Sequence, residues 1–497
     1  MTQPRSTDDA DLAQQATVSA AWTTLLTVVS RASQFVSQLV LAWLLVPEDF
    51  GIVGLAYTLM MFVWLLRHAG IGPVLIQRQR RIERWAGPAM WMSLVIGLAA
   101  AGLTVGLAPL VAAFYREPAL VAVLWVLAAS VPFESLSIVP RAVLQSQLRF
   151  KPLTMIDGGV ALGSAAGAIA LAASGWGVYS FVIPRLVASV IALPILWRSS
   201  GLDWRRRPAP RRWKFLAAGM GWVTAGGAAL QLINQGDYIV LGRLVEEDLV
   251  GQYYLAFMIS SQTMTLLTVN LGLVLMPALS RFRSEPLRQA ELFMEFQRIM
   301  ATVALPLCVA LSVCARPLAE VALDPRWTPV GPLLEILSVG MAFRMLAVNT
   351  HHYLQAAGRW SRYFWLNVIH GVAFIVACAV ALRGGSLVAL AYTVSGFFVA
   401  YGITQLVASL PAEMNHRLGK TLRLYVGGLV VSGLAAAITL GLTWPLDLGP
   451  TATLGLRGVG MAVFSVLLVR GLLPDIYAGL WARLNALRHR GGASTGR

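Results

Sequence analysis

Apolar stretches long enough to cross a bilayer recur along this chain from Thr17 to Leu473, and no other feature constrains its fold as strongly. A spanning helix needs about 20 apolar residues for about 30 Å of hydrocarbon. Inside that layer the backbone must satisfy its own hydrogen bonds, which leaves helices and closed barrels as solutions. Fourteen stretches are legible, at about 17–46, 50–69, 86–113, 119–145, 154–174, 177–198, 215–243, 249–275, 291–315, 329–352, 362–382, 386–409, 421–444 and 452–473. They leave almost no chain for a soluble catalytic domain. With 57% hydrophobic and only 12% charged residues, the chain is far from the quarter charged of a soluble domain. The expected fold is an all-α membrane protein of about 14 transmembrane helices.

The net charge of +16 would suggest nucleic acid in a soluble protein. Here the basic residues sit in alternate loops, at 78–84, 149–151, 198–214, 281–288, 359–362 and 417–423, and in the tail after Arg483. The intervening turns are short or acidic, as at Glu48-Asp49 and Glu246-Glu247-Asp248. That alternation reads as topology, with both termini and the basic loops in the cytoplasm and no nucleic-acid partner. The polar, acidic N-terminus lacks the basic start and short apolar core of a cleaved signal peptide.

The chain also repeats itself. LLVPEDFGIVGLAY at 44–57 matches LVEEDLVGQYYLAF at 244–257, pairing Leu44 with Leu244, Glu48 with Asp248 and Gly51 with Gly251. A second match, 210 residues apart, pairs Leu144-Gln145 with Leu354-Gln355, Arg149 with Arg359, Phe150 with Trp360 and Asp157 with Asn367. The unit is about six helices. Six is even, so both copies enter the membrane alike and their pseudo-two-fold axis lies along the membrane normal. The expected organisation is a six-helix lobe at 1–198, a basic cytoplasmic linker at 199–213, a second six-helix lobe at 214–410 and two further helices at 411–474. The tail, 475–497, places Tyr477, Leu480, Trp481, Leu484 and Leu487 on one helical face, which suits the inner leaflet. Two similar membrane halves are a common plan for transporters that rock around a central site.

Polar residues inside the bilayer mark where such a site would lie, because an ionisable side chain there costs at least about 2.5–3.5 kcal/mol on insertion scales. Arg31, Gln34 and Gln38 share one face of span 1. The same positions in span 7 are Gln231, Asn234 and Tyr238, with Asp237 alongside. These seams either face each other across a water-filled cavity or join helices by hydrogen bonds. Further candidates are Glu134 and Arg141 in span 4, Asp157 in span 5, Arg185 in span 6, and Arg344 with Asn349 in span 10. Cations outnumber anions in this set. That balance suits an anionic cargo such as a diphosphate, which arginine can grip with a bidentate fork. Asp237 is the nominated proton or sodium site, with Asp157 and Glu134 as further ion-coupling carboxylates; a structural ion pair with Arg31 is the simpler role for Asp237.

The adjacent His351 and His352 point to different helix faces, which disfavours a metal site. The three cysteines, Cys308, Cys314 and Cys378, lack CxxC spacing. The chain shows no phosphate-binding Gly-rich loop, nucleophile elbow or HExxH helix, so no cofactor is expected beyond H+ or Na+ coupling.

The segments LLVPEDFGIVGLA, HAGIGPVLIQR, PRAVLQSQLRFKPLTMID, NQGDYIVLGRLVEEDLVGQYYLA and DPRWTPVGPLLEILSVG resemble the bacterial polysaccharide transporter family. These are the Wzx-like lipid-linked oligosaccharide flippases, especially the branch similar to colanic-acid exporters. They belong to a superfamily (MOP) that includes MATE multidrug exporters and the lipid II flippase. The resemblance covers roughly residues 15 to 410. It implies two six-helix lobes around a cationic cavity and the turning of an undecaprenyl-diphosphate-linked repeat unit from the inner to the outer leaflet. On this resemblance Arg31 is the basic position of the first helix and Asp237 the Asp of N-x-x-D in the seventh. Gln231 mirrors Arg31, so the second seam is neutral there.

The expected function is therefore an inner-membrane flippase for exopolysaccharide, capsule or lipopolysaccharide assembly. A monomer is expected, and the family's usual neighbours are a polymerase and a chain-length regulator. A drug or cation exporter of the same architecture would want net buried acid. A membrane glycosyltransferase or polymerase would want a large outer loop with catalytic carboxylates. A scaffold would need no polar seams.

Overall fold

The computed structural model describes residues 30–68, 71–72, 75, 82–147, 149–202, 209–214, 221–411, 415–446 and 448–472. The amphipathic tail, the centre of the basic linker and the first half of span 1 lie outside the described residues. Every regular element among the described residues is helical. In chain order the long helices are α1 (30–44), α2 (Pro47–His68), α3 (Ile82–Tyr115), α4 (Ala119–Leu136), α5 (Ile138–Ser146), α6 (Phe150–Ala173), α7 (Tyr179–Ser200) and α8 (Gly221–Leu244). They continue with α9 (Glu247–Arg281), α10 (Pro286–Ala322), α11 (Val330–Ala356), α12 (Trp360–Ala381), α13 (Leu387–Ser409), α14 (Asn415–Thr443) and α15 (Pro450–Leu472). Counting α4 and α5 together, 11 spans among the described residues are long and apolar enough to cross a membrane. The chain is a multi-pass membrane protein. Its outward side chains agree, since Leu110, Trp125, Ile191, Val376 and Val459 are all exposed.

The division of span 4 into α4 and α5 differs from the single helix that hydropathy suggests. Pro140 is the cause. It has no N–H to give the carbonyl four residues earlier and its ring clashes there. That carbonyl belongs to Leu136, the last residue of α4. Other ends follow local rules. Pro47 opens α2, with Glu48 and Asp49 in its first turn facing the positive end of the helix dipole. Gly201 closes α7 at φ 66°, a backbone region that glycine enters without strain.

The repeat is visible in the backbone. Leu45 N–H donates to Leu41 O at 2.8 Å, and 200 residues on Val245 N–H donates to Leu241 O at 3.0 Å. Arg149 N–H donates to Leu144 O and Arg359 N–H to Leu354 O, both at 2.9 Å. α6 starts at Phe150 and α12 at Trp360, the paired residues of the second match.

Packing divides the chain into two compact units, Met1–Gly251 and Gln252–Arg497. In the first, α4 packs on α3, α2 and α7, α7 also packs on α6, and α8 packs on α2. Gly51 of α2 and Gly251 at the start of α9, both in this unit, each lie against the other turn's backbone. A Cβ on Gly51 would strike the Glu247 carbonyl, and one on Gly251 the Pro47 carbonyl. In the second unit, α11 is the centre. It is enclosed by α10 and α13, and 78% of its most apolar window is buried, against 17% for α15 at the periphery.

Candidate functional site

The first unit contains a cavity of about 620 Å³. Six helices bring polar groups to it. α1 supplies Gln34, Ser37 and Gln38, which share one helical face. α2 supplies Tyr57 and Arg67, and α4 supplies Glu134. The broken span adds Ser137 and Arg141, α6 adds Asp157 and Ser164, and α7 adds Arg185 and Ser189 one turn apart. The rest of the wall is apolar, with Leu41, Ile138 and Phe181 among its side chains.

Glu134 lies between two arginines. One carboxylate oxygen accepts from Arg67 Nη1, and the other accepts from Arg185 Nε at 3.0 Å. The Arg185 guanidinium also stacks over the Trp64 ring, 4.1 Å from its centroid, a favourable cation–π position. The Tyr57 hydroxyl faces Arg185 as well. A second pair joins Arg141 Nη1 to Asp157 Oδ1 at 2.5 Å. Three arginines against two carboxylates leave the cavity with a formal charge of +1. In a low-dielectric wall that excess acts strongly on an anion.

The structure distributes the residues singled out from the sequence over separate places. Gln34, Gln38, Glu134, Asp157 and Arg185 line this one cavity. Arg31 stands one turn before Gln34 on α1, half-buried and outside the lining residues. Gln231, Asn234 and Asp237 follow one another on α8, also outside the lining. Asn234 Nδ2 donates to Gln231 Oε1 at 3.1 Å. Asp237 is fully buried, and its Oδ1 accepts from the Tyr238 N–H at 3.0 Å. Arg344 belongs to the second unit, where it is buried between the rings of Phe257 and Phe398, at 5.3 and 4.8 Å.

Around Arg344 the second unit holds neutral hydrogen bonds. Gln297 Nε2 donates to Leu346 O at 2.9 Å, and Asn349 Nδ2 donates to Gln297 Oε1 at 3.3 Å. His351 Nε2 meets the Tyr401 hydroxyl at 2.8 Å, and that hydroxyl donates to Asn367 Oδ1 at 3.2 Å. His351 is thus engaged with a tyrosine.

Sequence reasoning passed over Arg67, Tyr57 and Trp64. Arg67 lies near the end of its span, where a basic residue reads as a topology marker. The available signal was spacing: Trp64 and Arg67 stand three residues apart, with Tyr57 two turns before Trp64 on the same face.

With this geometry in place, similarity to known proteins is informative. Residues 40–332 match the model of a family described as "Polysaccharide biosynthesis protein". The succinoglycan biosynthesis transport protein ExoT of Rhizobium meliloti (strain 1021) is 25% identical over 387 residues, which covers 76% of this chain and 76% of ExoT. The teichuronic acid biosynthesis protein TuaB of Bacillus subtilis (strain 168) is 25% identical over 388 residues, 75% of this chain and 78% of TuaB. Among solved structures, the lipid II flippase MurJ in an inward closed conformation superposes with a TM-score of 0.72. It covers 91% of this chain and 100% of MurJ at 14% identity, a likeness of fold.

Proposed function

The chain belongs to the polysaccharide biosynthesis protein family, whose model spans 40–332, and from that premise we propose that it is a transporter turning a lipid-linked oligosaccharide across the membrane. The observation that carries this reading is the cationic cavity inside an apolar helical bundle. A diphosphate linkage carries negative charge that cannot cross hydrocarbon unaided. Arg185 and Arg141, with Gln34 and Gln38, offer it charge-assisted hydrogen bonds, while the prenyl tail stays in lipid. Arg31, one turn away on α1, Gln231 and Asn234 on α8, and Arg344 on α11 are further proposed contacts for the cargo. The nominated H+ or Na+ site is Asp237, fully buried on α8, with Glu134 and Asp157 in the cavity as the further ion-coupling carboxylates.

In this reading the protein works as a monomer in the inner membrane, with cytoplasmic termini, next to a polymerase and a chain-length regulator. A drug or cation exporter is the weaker reading, because a cationic cargo would meet a cavity of like charge. Deleting the gene and measuring surface polysaccharide and lipid-linked repeat units tests the proposal. Loss of polymer with accumulation of cytoplasm-facing lipid-linked oligosaccharide is expected, and its mass identifies the sugar. Unchanged polysaccharide with no accumulation, in a host cleared of redundant transporters, overturns it.

A further inference from the structure

We infer that Glu134 is a built-in stand-in for the cargo's phosphate: it holds the Arg67–Arg185 fork and gives up Arg185 to an arriving anionic headgroup. This inference rests on the cavity being a diphosphate site.

The geometry is that of a shared anion. Two oxygens of one carboxylate each take a hydrogen bond from a different arginine, as two oxygens of a phosphate would. The two arginines differ in access. The Arg67 side chain is 9% exposed and Glu134 13%, whereas Arg185 is 37% exposed to the cavity. Arg185 therefore can change partner, and Arg67 keeps Glu134 from being left alone. The Trp64 face under Arg185 makes the exchange easier, because a planar guanidinium can pivot over a ring without losing it.

The fold itself does not demand an acid at this place, for 210 residues on, the equivalent position is Arg344.

The test uses purified full-length protein in lipid nanodiscs, titrated with farnesyl diphosphate at about pH 7.5. Glu134→Gln is expected to bind the probe about tenfold tighter than wild type. Arg185→Gln should lose binding, and the double variant should show no gain. Loss of a carboxylate tightens anion binding by charge alone, and that gain would persist without Arg185, so the absence of a gain in the double variant marks the exchange. If Glu134→Gln does not accumulate, Glu134→Asp, whose shorter reach loosens the hold on Arg185, must still tighten binding by a smaller factor. Folded Glu134 variants that bind equally or more weakly than wild type overturn the inference and leave the transport reading intact. A wild type that does not bind the probe overturns both.

Discussion

In the first unit Arg141 and Asp157 form an ion pair; 210 residues on, in the second unit, the equivalent positions hold His351 and Asn367, joined through the Tyr401 hydroxyl. The same separation pairs Glu134 with Arg344, and Pro140, which breaks span 4, with Thr350, over which α11 runs unbroken. The two copies thus share helix starts and turns but differ in chemistry. The Arg141 and Asp157 side chains are partly open to water, 32% and 46% exposed, whereas His351 and Asn367 are buried and joined by neutral hydrogen bonds. The lesson is that a repeat fixes a backbone and leaves the side-chain chemistry of each copy free to differ.

Four experiments break or sharpen that comparison. Arg67→Ala leaves Glu134 with half its partners in a mostly dry wall and should lower stability by about 3–5 kcal/mol. Thermal unfolding of the purified protein measures it, and a cost under about 1 kcal/mol would mean the pair is as solvated as a surface one. Gly51→Ala and Gly251→Ala force a Cβ into backbone and should each cost about 1–3 kcal/mol. Similar losses would show that the two turns are equivalent, and a loss at one alone would show that they are not.

The double variant Arg141→His with Asp157→Asn copies the second unit's residues into the first. Both charges leave together, so stability should move by no more than about 1 kcal/mol. Polymer export in cells should nonetheless fall at least about tenfold, because a headgroup contact is gone. Normal export would separate this pair from the cargo path. The smallest effect is expected outside the membrane, at Asp324, which precedes α11. The hydrogen bond from Arg326 holds its carboxyl below the usual range. A depressed folded-state value adds stability above the unfolded value, lost only as pH falls through the folded one. Melting of Asp324→Asn should therefore track wild type closely between about pH 5 and 8, with any difference from wild type shrinking only below about pH 4.

Much of the fold was legible because its signals are local. Spans 2 and 8 read from about 50 and 249, close to the helix starts at Pro47 and Glu247. The break at Ser137 was readable in principle, since Pro140 stands three residues beyond it. Of the site, the excess of cations and the identities of Glu134, Asp157 and Arg185 were visible as polar residues in apolar spans. Arg67 was not, because a residue near a span's end looks alike whether it points to water or to a buried acid. Nor could Gln34 and Gln38 be separated from Arg31, as all three share a face, yet only the first two reach the cavity.

By itself the sequence determined that this chain is a bundle of membrane helices built from two like halves, because hydropathy and repetition are properties of order along the chain. Only the tertiary structure decided that Glu134 meets Arg67 and Arg185, which lie 67 and 51 residues away. Hydropathy is read within one helix, whereas an ion pair depends on the distance between side chains of different helices, and packing alone sets that distance.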